Sequence, residues 1–388
     1  MARKLRVAII GAGIGGLAAA AAMRKLGCEA TIYERTSDLG EVGAGLQIGP
    51  NGVKVLHALG LEHTLEGLAC EPVDIVSVAW DDAHLRFREP LKAISQQKYG
   101  ARYLTAHRAD LHRLLQERVP SSSINLNARC TRVETKGDTA VATFENGTQV
   151  EADVIVGADG IRSTVRECLF GAAPARYTEQ MGWRGIVPIE YVPKAVGPGK
   201  SVRLSADDYV GWIGPTGHVI CYPLRGGELY NMFIGRVSEQ WEEESWTVPS
   251  SKKEMLDAFA DWNEALLGML DKIEEVYKWG IYDREPLEQW TRGRVTLMGD
   301  AAHPMMPTLA QGASITIEDA YTLARNLAQH SDNPARALKL YEGERLNRAR
   351  RVQLQAREQF VNNRKNPAPP PLSRDWIFEH DATAEPVA

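Results

Sequence analysis

The turn that begins at Gly11 restricts the fold of this chain more than any other segment. The apolar run Leu5–Ile10 leads into Gly11-Ala12-Gly13-Ile14-Gly15-Gly16, and the alanine-rich stretch Leu17–Leu26 follows. A short continuous apolar run stopped by glycines reads as a buried parallel strand. Leu17–Leu26 reads as a helix, and Ala30–Tyr33 as a second strand ending at Glu34. The chain therefore opens with a β-α-β unit whose first turn carries Gly-x-Gly-x-x-Gly, the arrangement that lays a pyrophosphate on a helix N-terminus. Glu34 stands 21 residues after Gly13, where a carboxylate accepts from ribose hydroxyls and disfavours a 2′-phosphate. Gly11, Gly13, Ile14, Gly15, Gly16 and Glu34 are cofactor-binding candidates, with Arg35 beside the adenine.

The rest of the chain predicts an α/β fold: a Rossmann-like domain with an inserted antiparallel-sheet domain and a long C-terminal helical region. Residues 1–75, 100–175 and 285–330 are assigned to the first domain, 76–99 and 176–284 to the insert, and 331–388 to the C-terminal helix and tail. Arg108–Arg118 reads as a helix. Arg132–Glu134, Ala140–Phe144 and Thr148–Glu151 read as a meander turning at Asn146-Gly147, and Val154–Val156 as a buried strand. Val202–Leu204, Tyr209–Ile213, His218–Pro223 and Leu229–Val237 are strand-like, and Glu254–Tyr277 is helical. Ser314–Gln329 and Pro334–Asn363 are helices, stopped by the proline-rich stretch after Asn366. The tail from Trp376 is expected to pack back through its aromatics, with the last residues disordered.

A net charge of -5 argues against a nucleic-acid partner. Five scattered cysteines, never in Cys-x-x-Cys spacing, argue for a reducing compartment, no disulfide framework and no metal site. Met1–Arg6 with the apolar run behind it imitates a signal peptide, but the run is short and continues into glycines, so it is read as a strand. The chain has no transmembrane run, and the expected location is the cytoplasm, without membrane contact.

Two later motifs narrow the cofactor. Gly299-Asp300 follows an apolar run and puts a carboxylate at a strand end. Ala310-Gln311-Gly312-Ala313 opens a helix with bare N–H groups where an electron-rich ring can sit, which favours a flavin over a nicotinamide. Asp159-Gly160, ahead of Ile161-Arg162-Ser163, is a central Asp-Gly motif that reads equally as a cofactor contact or a local turn. With these three motifs in this order the chain resembles the single-component FAD-dependent aromatic hydroxylases. It is most similar to the salicylate and 3-hydroxybenzoate hydroxylases and to 6-hydroxynicotinate 3-monooxygenase. The strings Gly45-Leu46-Gln47-Ile48-Gly49-Pro50-Asn51 (with Val42-Gly43-Ala44 before it), His107-Arg108-Ala109-Asp110-Leu111 and Ala302-His303-Pro304-Met305 support the likeness.

The resemblance implies tight, non-covalent FAD, NADH or NADPH as co-substrate, O2, a small aromatic substrate, and a monomer or homodimer. It places Arg108 at the FAD phosphates or flavin edge, Asp300 at the ribityl or pyrophosphate, and Gly312 and Ala313 at the isoalloxazine. Asp159 would bridge the FAD and NAD(P)H sites, and Gln47 and Cys130 are further cofactor contacts. The implied chemistry is reduction of FAD, formation of a flavin hydroperoxide, and transfer of its distal oxygen to an electron-rich ring. A general base or acceptor beside a ring hydroxyl assists by raising that electron density.

Strand alternation sets His218, Ile220 and Tyr222 on one sheet face, and the 3-hydroxybenzoate hydroxylases carry a similar His/Tyr pair on the corresponding strand. His218 and Tyr222 are therefore the catalytic candidates; a solvated turn histidine is the alternative for His218. Gln47, His218, Tyr222, Pro307 and Thr308 are candidate substrate contacts. Two departures weigh against a 6-hydroxynicotinate substrate. Met305-Met306-Pro307-Thr308-Leu309 stands where several relatives carry a polar Gln or His, and Gln47 stands where 6-hydroxynicotinate 3-monooxygenase has a histidine. His303 is expected to shape its loop rather than react. Arg184, Arg203 and Arg225 are candidates for a substrate carboxylate. A 6-hydroxynicotinate-type N-heteroaromatic 3-monooxygenase would be the alternative to a salicylate- or 3-hydroxybenzoate-type hydroxylase, with a nicotinamide-linked dehydrogenase or a non-catalytic flavoprotein more remote.

Overall fold

The N-terminal apolar run becomes the strand Arg6–Ile10, set inside a six-stranded sheet. It pairs in parallel with Glu29–Tyr33 on one side and Val154–Gly157 on the other. Val295–Leu297 extends the sheet in parallel, and Thr291–Arg292 closes that edge antiparallel. A computed structural model describes residues 4–40, 45–239, 248–365 and 369–384. The helix Ile14–Lys25 follows the glycine turn, and its alanines are all buried. Small side chains let it lie against the sheet and the later helix Gly312–Gln329. The meander forms as Cys130–Lys136, Thr139–Phe144 and Gln149–Ala152, and Gly147 turns it at φ +81.

A second, eight-stranded sheet has its own core. Its central strands are Arg176–Pro188, Leu229–Val237, Gly217–Leu224 and Tyr209–Ile213, in that spatial order. Trp183, Ile234, Val219 and Trp212 point to one face and pack against the helices Lys252–Ala258 and Glu264–Leu270. The opposite face carries three cross-strand rows: Ile186–Asn231–Tyr222, Arg184–Phe233–Ile220–Gly211, and Gly182–Gly235–His218–Ile213.

Several expectations need correction. Val202–Arg203 leaves this sheet and forms a two-stranded ribbon with Ala195–Val196. Glu254–Tyr277 is not one helix. Asn263 caps a new start by accepting from the Ala265 N–H, and Tyr277 already begins the strand Tyr277–Asp283. The 13-residue strand Arg176–Pro188 gave no clear signal, because Gly182, Gly185 and scattered polar residues interrupt its alternation.

The helices Gly312–Gln329 and Pro334–Asn363 pack together, and residues 369–384 return along them. Trp376 does pack back: its indole N–H reaches Gln355 Oε1 at 2.9 Å, and Arg351 lies 3.8 Å from its ring centre. The final four residues and Val42-Gly43-Ala44 lie outside the described residues. No helix among the described residues is long and apolar enough to cross a membrane.

Candidate active site

A cavity of 1190 Å³ opens beside the glycine turn. Gly11 and Gly13 line it, and Gly11 sits at φ +106. A Cβ on Gly11 would meet the Ala158 carbonyl oxygen at 2.5 Å, so only glycine fits. The other fingerprint residues pack the turn instead. A Cβ on Gly16 would stand 2.0 Å from the Gly11 oxygen, one on Gly15 would strike Thr316 at 2.5 Å, and the Ile14 side chain is buried. The Glu34 carboxylate accepts from the Ala12 N–H at 2.7 Å and the Thr36 N–H at 3.0 Å. Held there by the turn itself, it keeps lone pairs free for two vicinal hydroxyls.

Arg35, Arg108, Cys130, Asp159 and Asp300 line the same cavity. Asp300 is packed among protein groups yet open to the cavity, and desolvation raises its pKa against the charges of His303 and Arg108. Asp159 serves both of its readings. It accepts from Ser163 Oγ at 2.5 Å and the Val165 N–H at 3.1 Å, fixing the start of the helix Thr164–Phe170, and it also faces the cavity. Burial raises its pKa, offset in part by those bonds. Burial pushes the Cys130 thiol up to about 12, so it carries no reactive thiolate. Gly312 opens an 18-residue helix that no side chain caps, with open space at its Cβ position. Its first N–H groups are available to an electron-rich ring edge.

Gln47 lies on the strand Gly45–Ile48, which pairs with Leu104–His107. Its side-chain oxygen accepts from the Tyr103 hydroxyl, and its amide also engages Tyr209 and Tyr222. Tyr209 and Tyr222 stack with ring centres 6.2 Å apart and planes 4° apart. A Cβ on Gly45 would touch Tyr222 at 2.6 Å, and the Gly45 N–H donates to Asn231 Oδ1 at 2.7 Å. Burial pushes the Tyr103 hydroxyl up to about 12 and those of Tyr209 and Tyr222 higher still. All three stay protonated near neutral pH, which removes a general-base role from Tyr222 and leaves it a hydrogen-bond donor.

His218 is buried on the same face, four residues and about 13 Å along the strand from Tyr222. Its ring lies over Gly235, where a Cβ would come within 2.8 Å, and Nδ1 is 3.4 Å from the Gln180 amide nitrogen. Burial lowers its pKa to about 4, so the imidazole is neutral at working pH. His218 and Tyr222 thus share a face but not an immediate environment.

The loop after His303 differs from expectation. Thr308 donates its hydroxyl to the Ala356 carbonyl at 2.5 Å, which ties the loop to the long helix and leaves no O–H for a substrate. Pro307 is exposed. His303 is buried with Nε2 2.6 Å from Asp319 Oδ2. Two arginine candidates are also withdrawn: Arg225 forms a two-point pair with Asp110 at 3.0 and 3.4 Å, and Arg203 is exposed on the small ribbon. Arg184 stacks on Trp279 at 4.3 Å along the large cavity. Sequence reasoning missed Tyr103, Tyr209, Gln180 and Asn231. Alternation in Tyr209–Ile213 offered a signal for Tyr209 alone.

Residues 4–356 match the FAD binding domain family. The chain belongs to that family. A 3-amino-4-hydroxybenzoate 2-monooxygenase of Streptomyces platensis is 39% identical over 353 residues, covering 91% of this chain and 87% of the relative. A 6-hydroxynicotinate 3-monooxygenase of Bordetella bronchiseptica is 37% identical over 391 residues, covering 100% of this chain and 98% of the relative. A salicylate hydroxylase solved with its substrate superposes with a TM-score of 0.82 at 27% identity, covering 98% of this chain and 96% of that one. The protein is an FAD-dependent aromatic monooxygenase. The glycine turn that a Cβ would fill, the anchored Glu34 and the Asp300 carboxylate fit that cofactor.

Proposed function

We propose that this FAD-dependent monooxygenase hydroxylates a small hydroxylated aromatic carboxylate, with NAD(P)H as reductant and O2 as oxidant. The observation that carries the reading is the cluster in which Gln47 accepts from the Tyr103 hydroxyl and Tyr222 stacks on Tyr209. When bound, FAD would supply the redox and O2-activating chemistry, with NAD(P)H as the source of reducing equivalents. The protein's part is to hold the ring against it. The cofactor cavity runs from the glycine turn of the six-stranded unit to the second sheet, which lays its Tyr222 face over the substrate. Protonated tyrosine hydroxyls and the Gln47 amide bind the ring hydroxyl and fix its orientation, and neutral His218 is the titratable acceptor on that face. Closely packed aromatic walls exclude water from the reacting carbon.

A 6-hydroxynicotinate-type ring is the second reading. One observation favours it: the likeness to 6-hydroxynicotinate 3-monooxygenase covers the whole chain, including the returning tail, whereas that to the Streptomyces enzyme covers 91%.

His218→Ala combined with Tyr222→Phe should lower ring hydroxylation by at least about tenfold and divert NAD(P)H oxidation to hydrogen peroxide, with bound FAD unchanged. Product and peroxide are measured together with flavin absorbance. Parental coupling and turnover in the double variant would remove the sheet face from the site.

A further inference from the structure

The tail segment Ser373–His380 returns to the Gln47 cluster and is fastened there by its own contacts. Lys54 Nζ donates to the carbonyls of Phe378, Glu379 and His380 at 3.0–3.2 Å, closing a short helical turn. Tyr99 donates to Asp375 Oδ1 at 2.6 Å, Arg348 donates to the Ile377 carbonyl at 2.9 Å, and Phe378 is buried edge-on against Tyr99 and Tyr103. None of these anchors uses the Arg374 side chain. Its guanidinium lies over the ring of Phe378 at 5.2 Å, the ring that meets Tyr103 edge-on, and its charge acts on Tyr103 and Tyr209. Among the described residues it forms no ion pair, although it is half-buried. An arginine beside a tyrosine cluster whose fork is taken up by no protein carboxylate is available to an anion, and its planar geometry suits a carboxylate.

We propose that Arg374, delivered by the C-terminal tail, recognises the carboxylate of the aromatic substrate and so sets specificity for acids over neutral rings. This rests on the aromatic-carboxylate reading above. Of the candidates from the sheet domain, Arg225 is paired with Asp110 and Arg203 is exposed, whereas Arg184 shares the Tyr222 face with its guanidinium stacked on Trp279 and is the competitor that the test must separate.

The test titrates FAD-loaded parent, Arg374→Gln, Arg374→Lys and Arg184→Gln with salicylate, 3-hydroxybenzoate and 6-hydroxynicotinate, and with the carboxamide of each. Perturbation of the flavin spectrum reads binding without turnover. The parent should bind at least one acid more tightly than its amide. Arg374→Gln should weaken that acid by about 10–100-fold and its amide by less than about twofold, and lysine should restore part of the loss. Equal weakening of acid and amide, no weakening, or the selective loss appearing in Arg184→Gln instead would overturn the assignment. A parent that hydroxylates one of these acids with Arg374→Gln unaffected defeats this inference alone. A parent that neither binds nor turns over any of them defeats the aromatic-carboxylate reading as well.

Discussion

Replacing Arg345 with leucine should cost the protein about 3–5 kcal/mol of stability and lower its Tm by about 4–6 °C. Arg345 is buried with Nε 2.8 Å from Asp319 and NH1 2.5 Å from Glu318, and both carboxylates are completely buried. Arg348 adds a two-point contact to Glu318 at 2.7 and 2.8 Å, Asn51 donates to Glu318 at 2.6 Å, and His303 closes on Asp319. Removing Arg345 leaves buried negative charge without its central partner. Desolvation opposes ionisation of both acids, but the arginines around Glu318, and His303 with Arg345 around Asp319, hold them below the ordinary carboxylate range. A depressed native pKa contributes stability that is present above the unfolded pKa of about 4 and is lost as pH falls through the native value. In Arg345→Leu the acid limb of unfolding should therefore move to higher pH. Thermal melts from pH 3 to 8 check both effects. A variant that melts with the parent would show that the cluster is dispensable to the fold.

Loss of the Asp300 carboxylate should be the largest single change in FAD affinity. Asp300→Ala is expected to weaken FAD by about 10–100-fold, the range for losing a hydrogen bond to a charged group. Gly299, at φ +56, turns the backbone so that Asp300 meets the cavity wall, and a Cβ on Gly299 would strike Thr316 at 2.8 Å. Flavin-to-protein ratio after gel filtration and fluorescence titration of the apoprotein measure the effect. A fully flavin-loaded Asp300→Ala protein with parental affinity would contradict the role.

The cofactor half of the molecule was legible because its signals are local and physical. Glycines that a Cβ would jam, an apolar strand before them and a carboxylate at the next strand end stand close together in the chain. Strands bounded by turn residues, such as Tyr209–Ile213 and Leu229–Val237, were also legible to the residue. Arg176–Pro188 was not, because its pairing to two neighbours fixes it rather than its own pattern. The proposed substrate side was the least legible part. Gln47, Tyr103, Tyr209 and Tyr222 come from four separated segments, and their meeting depends on how the second sheet lies on the first unit. Arg374 belongs with them for the same reason. The proline-rich stretch before it reads as a helix stop and the aromatics of the tail suggest its return, but nothing local singles out Arg374, because the anchors that place it lie at Lys54, Tyr99 and Arg348.

The central claim is tested most directly by supplying the FAD-loaded enzyme with NAD(P)H and isotopically labelled O2, alongside salicylate, 3-hydroxybenzoate, 4-hydroxybenzoate and 6-hydroxynicotinate in turn. At least one of these should accelerate NAD(P)H oxidation and yield a ring product carrying one labelled oxygen atom. Oxidation that no acid accelerates, or that ends only in peroxide with every ring unlabelled, would contradict it.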